Sequence, residues 1–357
     1  MFAEVNHPDT LLPEELDAYL QRGWFRMGPT IFTTNFLSFK DNLYSAIWLR
    51  VLLDSYNGEK TQARLFRLNS IFSATISAAT ITPEKEALFA LYKKGVAFEA
   101  STSLQHLLFG KSTRAAYNTL EITIRDEDKL IATGYFDLGS SAGMGITSFY
   151  DPAYKKHSLG MYLIYMKIEY CQKKGFRYFY PGYFVPGYSF FDYKLTIAKK
   201  SLQYLQLETQ QWFAIQKFSK NLTPLQIMMD RLKELESELA VIDLSSKVMR
   251  YEFFDANLIP DLVGAGLFDY PLFLFLPGSI HEAINIFVVY NVVERQYHMV
   301  RCRGIWKTNS ATSSEEIYSS FVLKIEETLY ATPSAFDLVM VINAEKKEFA
   351  LRSGGRA

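Results

Sequence analysis

The sequence contains little cysteine and no long apolar run. Its two cysteines, Cys171 and Cys302, are too few for a disulfide framework or a four-thiolate metal site. The longest apolar stretches, "YPLFLFLPG" and "INIFVVYNVV", are far shorter than the roughly 20 residues that span a bilayer. The N-terminal "MFAEVNHPDT" lacks the basic start and apolar centre of a signal peptide. We therefore expect no membrane association and a reducing, cytoplasmic compartment.

The chain also lacks a net charge. Its 38 Lys and Arg residues balance 38 Asp and Glu residues, so contact with a nucleic acid would need a local basic patch. Such a patch lies in residues 151–200, where eight lysines and one arginine face three acidic residues. Aromatic residues are plentiful at 15%, which fits either a large core or a stacking surface.

The middle of the chain predicts a mixed sheet. "NTLEITIRDEDKLIATGYFDLG" and "MGITSFYDP" have the pattern of three strands, with a hairpin turn at "RDED". The amphipathic segment "LGMYLIYMKIEYCQKKG" then predicts a helix, and "FRYFYPGYF" a further strand. A meander followed by a crossover helix and a parallel strand is the order of a GNAT-type acyltransferase sheet. The predicted class is α+β, with a GNAT-like mixed sheet, flanking helices, and N-terminal and C-terminal α+β extensions.

Other segments divide the chain into three predicted domains. "TPEKEALFALYKKG" predicts a helix with Thr82 as its cap and Pro83 at its first position. "LTPLQIMMDRLKELESELAVI" predicts an amphipathic helix, and "AINIFVVYNVVERQYHMVRCRGIWK" a hairpin. We expect an N-terminal domain at residues 1–80, a catalytic domain at 81–205, and a C-terminal extension of unknown role at 206–357.

The loop "KKHSLG" precedes the predicted crossover helix, where a GNAT enzyme holds a pyrophosphate. Free backbone N–H groups and the positive end of the helix dipole favour an anion there, next to Lys155 and Lys156. We expect His157 at the surface. Ser158 has a second interpretation as an ordinary helix N-cap, and both interpretations stay open at this point.

A run of motifs resembles the arginyl-tRNA-protein transferase family, which includes bacterial leucyl transferases acting on N-terminal Asp or Glu. Its members show a strand ending in Tyr-Asp-Pro, a Ser-Leu-Gly helix start, an Ile-Glu pair, a Tyr-rich strand and a Tyr-Lys pair. These occur here in the same order at residues 150–152, 158–160, 168–169, 180–183 and 193–194.

The N-terminal part resembles the same family more weakly. "RGWFRMG" is similar to its Gly-Trp-Arg-Arg-Ser-Gly opening, and "WLRV" and "ARLFRLN" are similar to its basic segments. The resemblance covers residues 15–200. The family's cysteine cluster is absent, because the positions near Phe36 and Phe39 read "FLSF". We therefore expect no metal centre and no cofactor, with an apolar pair filling the space of the cluster.

The resemblance implies transfer of an amino acid, Arg or Leu, from aminoacyl-tRNA to the N-terminal α-amine of acceptor proteins bearing acidic or other destabilising N-termini. An α-amine has a pKa of about 7.7–8.0, so a useful fraction is neutral. Catalysis then depends mostly on positioning and on stabilising the tetrahedral oxyanion. An acyl-CoA-dependent N-acyltransferase and a non-catalytic homologue that binds tRNA or protein are the alternatives.

The same resemblance implies roles for individual residues. Tyr150, Tyr183 and Lys194 are the predicted catalytic residues. The predicted substrate-binding residues hold the tRNA end, line the aminoacyl pocket or contact the acceptor's acidic side chain; they are Trp24, Arg26, Lys155, Lys156, Ser158, Gly160, Tyr180 and Tyr193. For the tyrosines, half-buried packing positions on a strand are the competing interpretation.

Overall fold

The computed structural model describes residues 1–40, 42–95, 101–110, 116–281, 284–308 and 316–354. The elements before residue 111 are β1 (Ala3–Asn6), α1 (Pro13–Gln21), β2 (Phe25–Met27), β3 (Thr30–Thr34), β4 (Phe36–Phe39), β5 (Asn42–Ser45), β6 (Ile47–Leu52), α2 (Lys60–Leu68), β7 (Ser73–Ala78), α3 (Pro83–Lys93) and α4 (Leu104–Phe109). The predicted start of α3 is confirmed, since Pro83 opens it and Thr82 Oγ1 accepts a hydrogen bond from Lys85 N at 3.3 Å.

An eight-stranded sheet forms the centre of the molecule. Its later elements are β8 (Thr119–Asp126), β9 (Lys129–Leu138), β10 (Ala142–Tyr150), α5 (Leu159–Lys173), β11 (Tyr178–Phe184), β12 (Leu202–Gln206) and β13 (Gln211–Ala214). The strand order is β13-β12-β6-β11-β10-β9-β8-β7. Strands β8, β9 and β10 form the predicted antiparallel meander. Helix α5 connects β10 to β11, and β10 and β11 pair in parallel. The predicted α+β class with a GNAT-like strand order is confirmed.

The C-terminal part forms a second sheet with its own core. Its elements are α6 (Pro224–Val241), β14 (Lys247–Tyr251), β15 (Leu272–His281), β16 (Ile284–Asn291), β17 (Gln296–Lys307), β18 (Ile317–Tyr318), β19 (Phe321–Thr332) and α7 (Ala335–Gly354). The strand order is β18-β14-β15-β16-β17-β19. Helix α6 buries Met228, Leu232, Leu235 and Leu239 at helical spacing in this core. The predicted helix at α6 and the predicted hairpin of β16 and β17 are confirmed.

The strand pairing does not follow the predicted domain boundaries. Strands β6 and β7 lie before residue 80 but belong to the central sheet, and β13 extends that sheet beyond residue 205. Phe2 packs edge-on against Tyr270 at 5.0 Å and so joins the core of the second sheet. The divisions at residues 80 and 205 therefore cut continuous structure, because pairing between distant strands is not visible in local sequence patterns.

Helix α5 fixes one face of the central sheet. Its buried residues Leu159, Leu163 and Ile168 pack in the core cluster that also contains Phe136 of β9. The packing of α5 determines where its first turn lies relative to the ends of β10 and β11.

Among the described helices, none is long and apolar enough to cross a membrane.

Candidate active site

The central sheet opens between its two parallel strands. Only residues 142–144 of β10 pair with residues 178–180 of β11. On its other side β10 pairs with β9 from Gly143 to Tyr150, with a bulge between Gly145 and Thr147, and β11 pairs with β6 up to Phe184. Residues 145–150 of β10 and 182–184 of β11 therefore have no pairing with each other. We call the opening between residues 145–150 and residues 182–184 the strand gap. Backbone N–H and C=O groups that are not paired between two neighbouring strands can bond to an acyl group inserted there.

The basic loop follows directly after Tyr150, at the end of the strand gap away from the paired residues 142–144. A 3₁₀ segment, Pro152–His157, connects Tyr150 at the end of β10 to α5, and it leaves Lys155 and Lys156 exposed. A Cβ added to Gly160 would lie 3.6 Å from Tyr150 Cε1, so the first turn of α5 lies against that tyrosine ring. The structure thus brings together Tyr150, Lys155, Lys156, Ser158 and Gly160.

Ser158 has an unusual backbone conformation. Its φ of 51° is in the left-handed region, and its exposed side chain makes no capping hydrogen bond. The interpretation of Ser158 as a side-chain N-cap is therefore wrong. The first N–H groups of α5 remain available for an anion, since intrahelical bonding begins with Tyr162 N to Ser158 O at 3.1 Å.

His157 is buried, and the expectation of a surface histidine is wrong. Its ring packs edge-on against Phe72 at 4.9 Å, and its backbone oxygen accepts a hydrogen bond from Asn69 Nδ2 at 3.1 Å. The 3₁₀ turn directs this side chain inward while the two preceding lysines point outward. His157 therefore anchors the basic loop.

Lys194 lies in an aromatic pocket beside β11. Its Nζ donates a hydrogen bond to Tyr183 O at 2.8 Å and lies 5.3 Å and 5.2 Å from the ring centroids of Tyr183 and Phe191. Within the described chain no carboxylate forms an ion pair with it. Burial lowers the pKa of Lys194 to about 7, because desolvation disfavours the ammonium form. This amine can therefore accept a proton near neutral pH.

Gly182 provides the room that the Lys194 amine occupies. A Cβ at Gly182 would lie 3.0 Å from Lys194 Nζ, and its φ of +90° disfavours any other residue. Trp48 of β6 contacts the adjacent Tyr183 ring edge-on at 5.1 Å. Burial raises the pKa of Tyr183 to about 12, so its hydroxyl remains protonated at neutral pH.

Three predicted substrate contacts are core residues instead. Arg26 is buried and forms an ion pair with Asp137 at 2.8 Å; it also donates to Gly28 O, Leu108 O and Thr119 Oγ1. Trp24 packs on Tyr19 at 5.1 Å, and Tyr180 packs edge-on against Trp212 at 5.7 Å. These side chains stabilise the fold, and we replace their predicted substrate contacts with packing roles. Tyr193, 44% exposed, stays a predicted substrate contact.

Lys167 is a second buried lysine, which sequence reasoning counted only as part of the basic patch. It is 2% exposed, and its Nζ donates to Thr147 O at 2.8 Å and Ser148 Oγ at 3.0 Å, next to the β10 bulge. Burial lowers its pKa to about 7. One signal was available: residues 163, 167 and 171 share the buried face of α5, with a lysine between Leu and Cys.

The positions expected for the cysteine cluster hold packed aromatic rings. Phe36 contacts Phe2 edge-on at 5.3 Å, and Phe39 stacks on Tyr188 at 5.0 Å. An apolar pair occupies this region, as predicted. Across the described ranges, no group of three or more His, Cys, Asp or Glu side chains is arranged to hold a metal ion.

The family model and the curated relatives that match this chain point to the same kind of protein. Residues 84–204 match the family described as arginine-tRNA-protein transferase, C terminus. An aspartate/glutamate leucyltransferase of Leptospira interrogans is 28% identical over 218 residues, covering 60% of this chain and 83% of the relative. One of Helicobacter hepaticus is 25% identical over 194 residues, covering 53% and 78%. The predicted resemblance is confirmed, and the strand gap, basic loop and Lys194 all lie within the matched residues.

Among solved structures, the chain is similar to the ribosomal-protein-S18-alanine N-acetyltransferase of Escherichia coli. The TM-score is 0.23 at 20% identity, with 29% of this chain and 62% of that chain covered. This likeness is too distant to support an argument, and the assignment of the fold rests on the strand order and the strand gap.

Proposed function

We propose that this chain, whose residues 84–204 match the arginine-tRNA-protein transferase family, transfers an amino acid from aminoacyl-tRNA to the N-terminal α-amine of an acceptor protein. The single observation that carries the proposal is the strand gap, with the basic loop after the end of β10 and Lys194 beside β11. The relatives named above are leucyltransferases for aspartate and glutamate, so leucine or arginine is the proposed donor amino acid, and acidic N-termini are the proposed acceptors.

The basic loop is the proposed contact for the 3′ end of the tRNA. Lys155 and Lys156 are exposed, and the N-terminus of α5 adds backbone donors and a positive dipole. The Tyr150 ring, half-buried against Gly160, is the proposed stacking partner of the terminal base, an interaction worth roughly 1–3 kcal/mol per base. The aminoacyl ester then extends into the strand gap.

Lys194 is the proposed proton acceptor. The acceptor's neutral α-amine attacks the ester carbonyl carbon, and its nitrogen passes one proton to the neutral Lys194 amine. Backbone N–H groups along the strand gap stabilise the tetrahedral oxyanion. Collapse forms the new peptide bond and breaks the bond to the ribose 3′ oxygen, which takes the proton back from Lys194. The amine of Lys194 is thereby regenerated.

A CoA-dependent acyltransferase is the second candidate, and one observation favours it. Ser158 adopts the left-handed conformation that glycine usually supplies in a loop around a pyrophosphate. The same loop therefore fits the diphosphate of CoA. Titration calorimetry with CoA and with aminoacyl-tRNA separates the candidates, since the proposed enzyme binds only the tRNA at micromolar concentration.

The test is a transfer assay with leucyl-, arginyl-, lysyl- and phenylalanyl-tRNA and reporter peptides beginning with Asp, Glu, Arg or Lys. We expect product from leucyl- or arginyl-tRNA with the acidic peptides. Replacing Lys155 and Lys156 by Ala should weaken tRNA binding at least tenfold, whereas replacing the exposed Lys173 and Lys174 by Ala serves as the charge-matched control. Bound tRNA without product on any peptide would support a non-catalytic homologue instead.

A further inference from the structure

Helix α2 presents a basic face next to the basic loop. Lys60, Arg64 and Arg67 are spaced four and three residues apart, so they lie on one side of the helix, and all three are exposed. The helix contains no Asp or Glu. None of the three forms an ion pair within the part of the chain that the structure describes. We call these three residues the α2 basic face.

The packing of α2 fixes this face outward. Leu65 is buried in the core of the central sheet, and Phe66 contacts Tyr162 of α5 edge-on at 5.2 Å. The hydrophobic side of the helix therefore rests on α5. Rotation that would bring the cations inward would expose Leu65 and Phe66 to water, which opposes it.

A buried asparagine joins α2 to the basic loop. Asn69, just after the helix, is fully buried and donates to Leu65 O at 2.9 Å and to His157 O at 3.1 Å. The Phe72 ring closes the same contact against His157. The α2 basic face and the lysines of the basic loop thus lie on either side of one rigid junction.

Glu59, the acidic residue directly before α2, already has three hydrogen-bond donors. Glu59 accepts hydrogen bonds from Ala198 N at 3.1 Å, Lys199 N at 2.9 Å and Tyr165 Oη at 2.9 Å. These bonds hold the exposed Lys199 and Lys200 close to the start of α2. The Glu59 carboxylate therefore positions Lys199 and Lys200, and its hydrogen bonds go to these backbone N–H groups and to Tyr165 rather than to the α2 basic face.

We propose that the α2 basic face binds the acceptor-stem phosphates of the tRNA whose 3′ end occupies the basic loop. This inference rests on the proposed function. Lysine and arginine side chains on flexible stems suit a phosphate backbone, because their electrostatic attraction to phosphates does not depend on the base sequence. The helix is roughly 13 Å long at 1.5 Å per residue, enough to follow a short stretch of an RNA backbone. The stem would approach along α2 and direct its single-stranded end toward the strand gap.

The experiment compares the wild type with three variants of the full chain for binding to deacylated tRNA at several salt concentrations and for transfer kinetics. The test variant carries Lys60→Gln, Arg64→Gln and Arg67→Gln. The charge-matched control carries Arg301→Gln, Arg303→Gln and Lys307→Gln on β17. The rescue variant exchanges the basic residues as Lys60→Arg, Arg64→Lys and Arg67→Lys.

We expect the test variant to bind tRNA at least tenfold more weakly, with a salt slope smaller by about two to three, since each phosphate contact contributes about 0.7–0.9 to that slope. The KM for tRNA should rise, while kcat at saturating tRNA and the KM for the acceptor peptide stay unchanged. The rescue variant and the control should behave like the wild type.

The outcomes separate this inference from the proposed function. A test variant with wild-type affinity and salt slope overturns the inference and leaves the transferase standing. An equal loss in the β17 control also overturns it, because binding would then follow total charge. A wild type that neither binds tRNA nor transfers an amino acid overturns both.

Discussion

The two large sheets of this protein differ in whether their cationic side chains are buried or exposed. Four cations are buried among the described residues, and all belong to the region of the central sheet: Arg26, Arg50, Lys85 and Lys167. The second sheet places cations of β17 at the surface, opposite acids of β19, as Arg301 with Glu327 at 2.8 Å and Arg303 with Glu326 at 3.2 Å. Burying a cation costs solvation free energy, whereas a surface pair costs little. The costly arrangement occurs in the sheet that contains the strand gap.

The elements packed around the central sheet carry two kinds of buried cation. Arg26 and Lys85 are paired with carboxylates, Asp137 and Glu121, and they support the fold. Lys167 instead has only neutral oxygen partners, and half-buried Lys194 has a backbone oxygen and aromatic rings. Lys167 and Lys194, which have no carboxylate partner among the described residues, contact the two walls of the strand gap at Thr147 and Tyr183. Buried Arg50 also lacks a carboxylate partner there, but Gln203 Oε1 at 2.7 Å and the Tyr178 and Trp212 rings hold it, so we assign it to the fold. The following predictions test this division.

The largest effect is expected for Arg26→Met. The substitution leaves Asp137 buried without its partner, which typically costs about 3–5 kcal/mol of unfolding free energy. Urea denaturation followed by circular dichroism measures this cost. Adding Asp137→Asn should recover part of it. A loss below about 1 kcal/mol would show that the pair does not support the fold.

Lys194→Met should abolish most of the transfer activity and should change the unfolding free energy little. Removing a general base typically lowers the rate by about 100-fold or more. We expect kcat/KM to fall by that factor while tRNA affinity is unchanged, with exposed Lys217→Met as the matched control. Activity of the wild type should rise as pH passes about 7, because Lys194 must be neutral to accept a proton. Activity within threefold of the wild type would remove Lys194 from the mechanism.

Lys167→Met should leave stability unchanged or raise it by about 1–3 kcal/mol, since a buried charge without a carboxylate partner is replaced by an apolar side chain of similar length. Desolvation lowers the pKa of Lys167 to about 7 despite the opposing influence of nearby Asp137. Between that pKa and the ordinary lysine value, the unfolded chain binds more protons than the folded chain. The unfolding free energy of the wild type should therefore rise with pH in this window.

The variant tests that linkage directly. Urea unfolding at pH 7.5 and at pH 9.5 should show a smaller rise for Lys167→Met than for the wild type, with the remaining rise attributable partly to Lys194. A clear loss of stability at both pH values would assign Lys167 to the supporting cations. Exposed Lys173, on the same helix, gives the matched Lys173→Met control.

The smallest effect is expected for Arg301→Gln on β17. An exposed ion pair contributes about 0.2–1 kcal/mol, so thermal unfolding should shift by no more than a few degrees and transfer activity should be unchanged. A loss comparable to that of Arg26→Met would erase the difference between the two sheets.

Much of the local structure was predictable from the sequence. The strand from residue 142 to 150, the basic loop, helix α5 and the strand containing Tyr183 follow from alternating and helical patterns together with the run of motifs. These signals are local, because period, caps and turn residues act over a few positions. The similarity to the transferase family and a predicted position for the candidate site were therefore accessible without coordinates.

The tertiary structure alone determined which of the predicted residues line the site. Arg26 meets Asp137 across 111 positions of sequence, and His157 turns inward to meet Asn69 and Phe72. The pairing of β6 and β7 with later strands also joined the predicted domains. A sequence pattern determines that a segment is a strand or helix start and carries a basic or aromatic side chain. Whether that side chain faces the strand gap or the core depends on register between distant strands, which only the folded chain establishes.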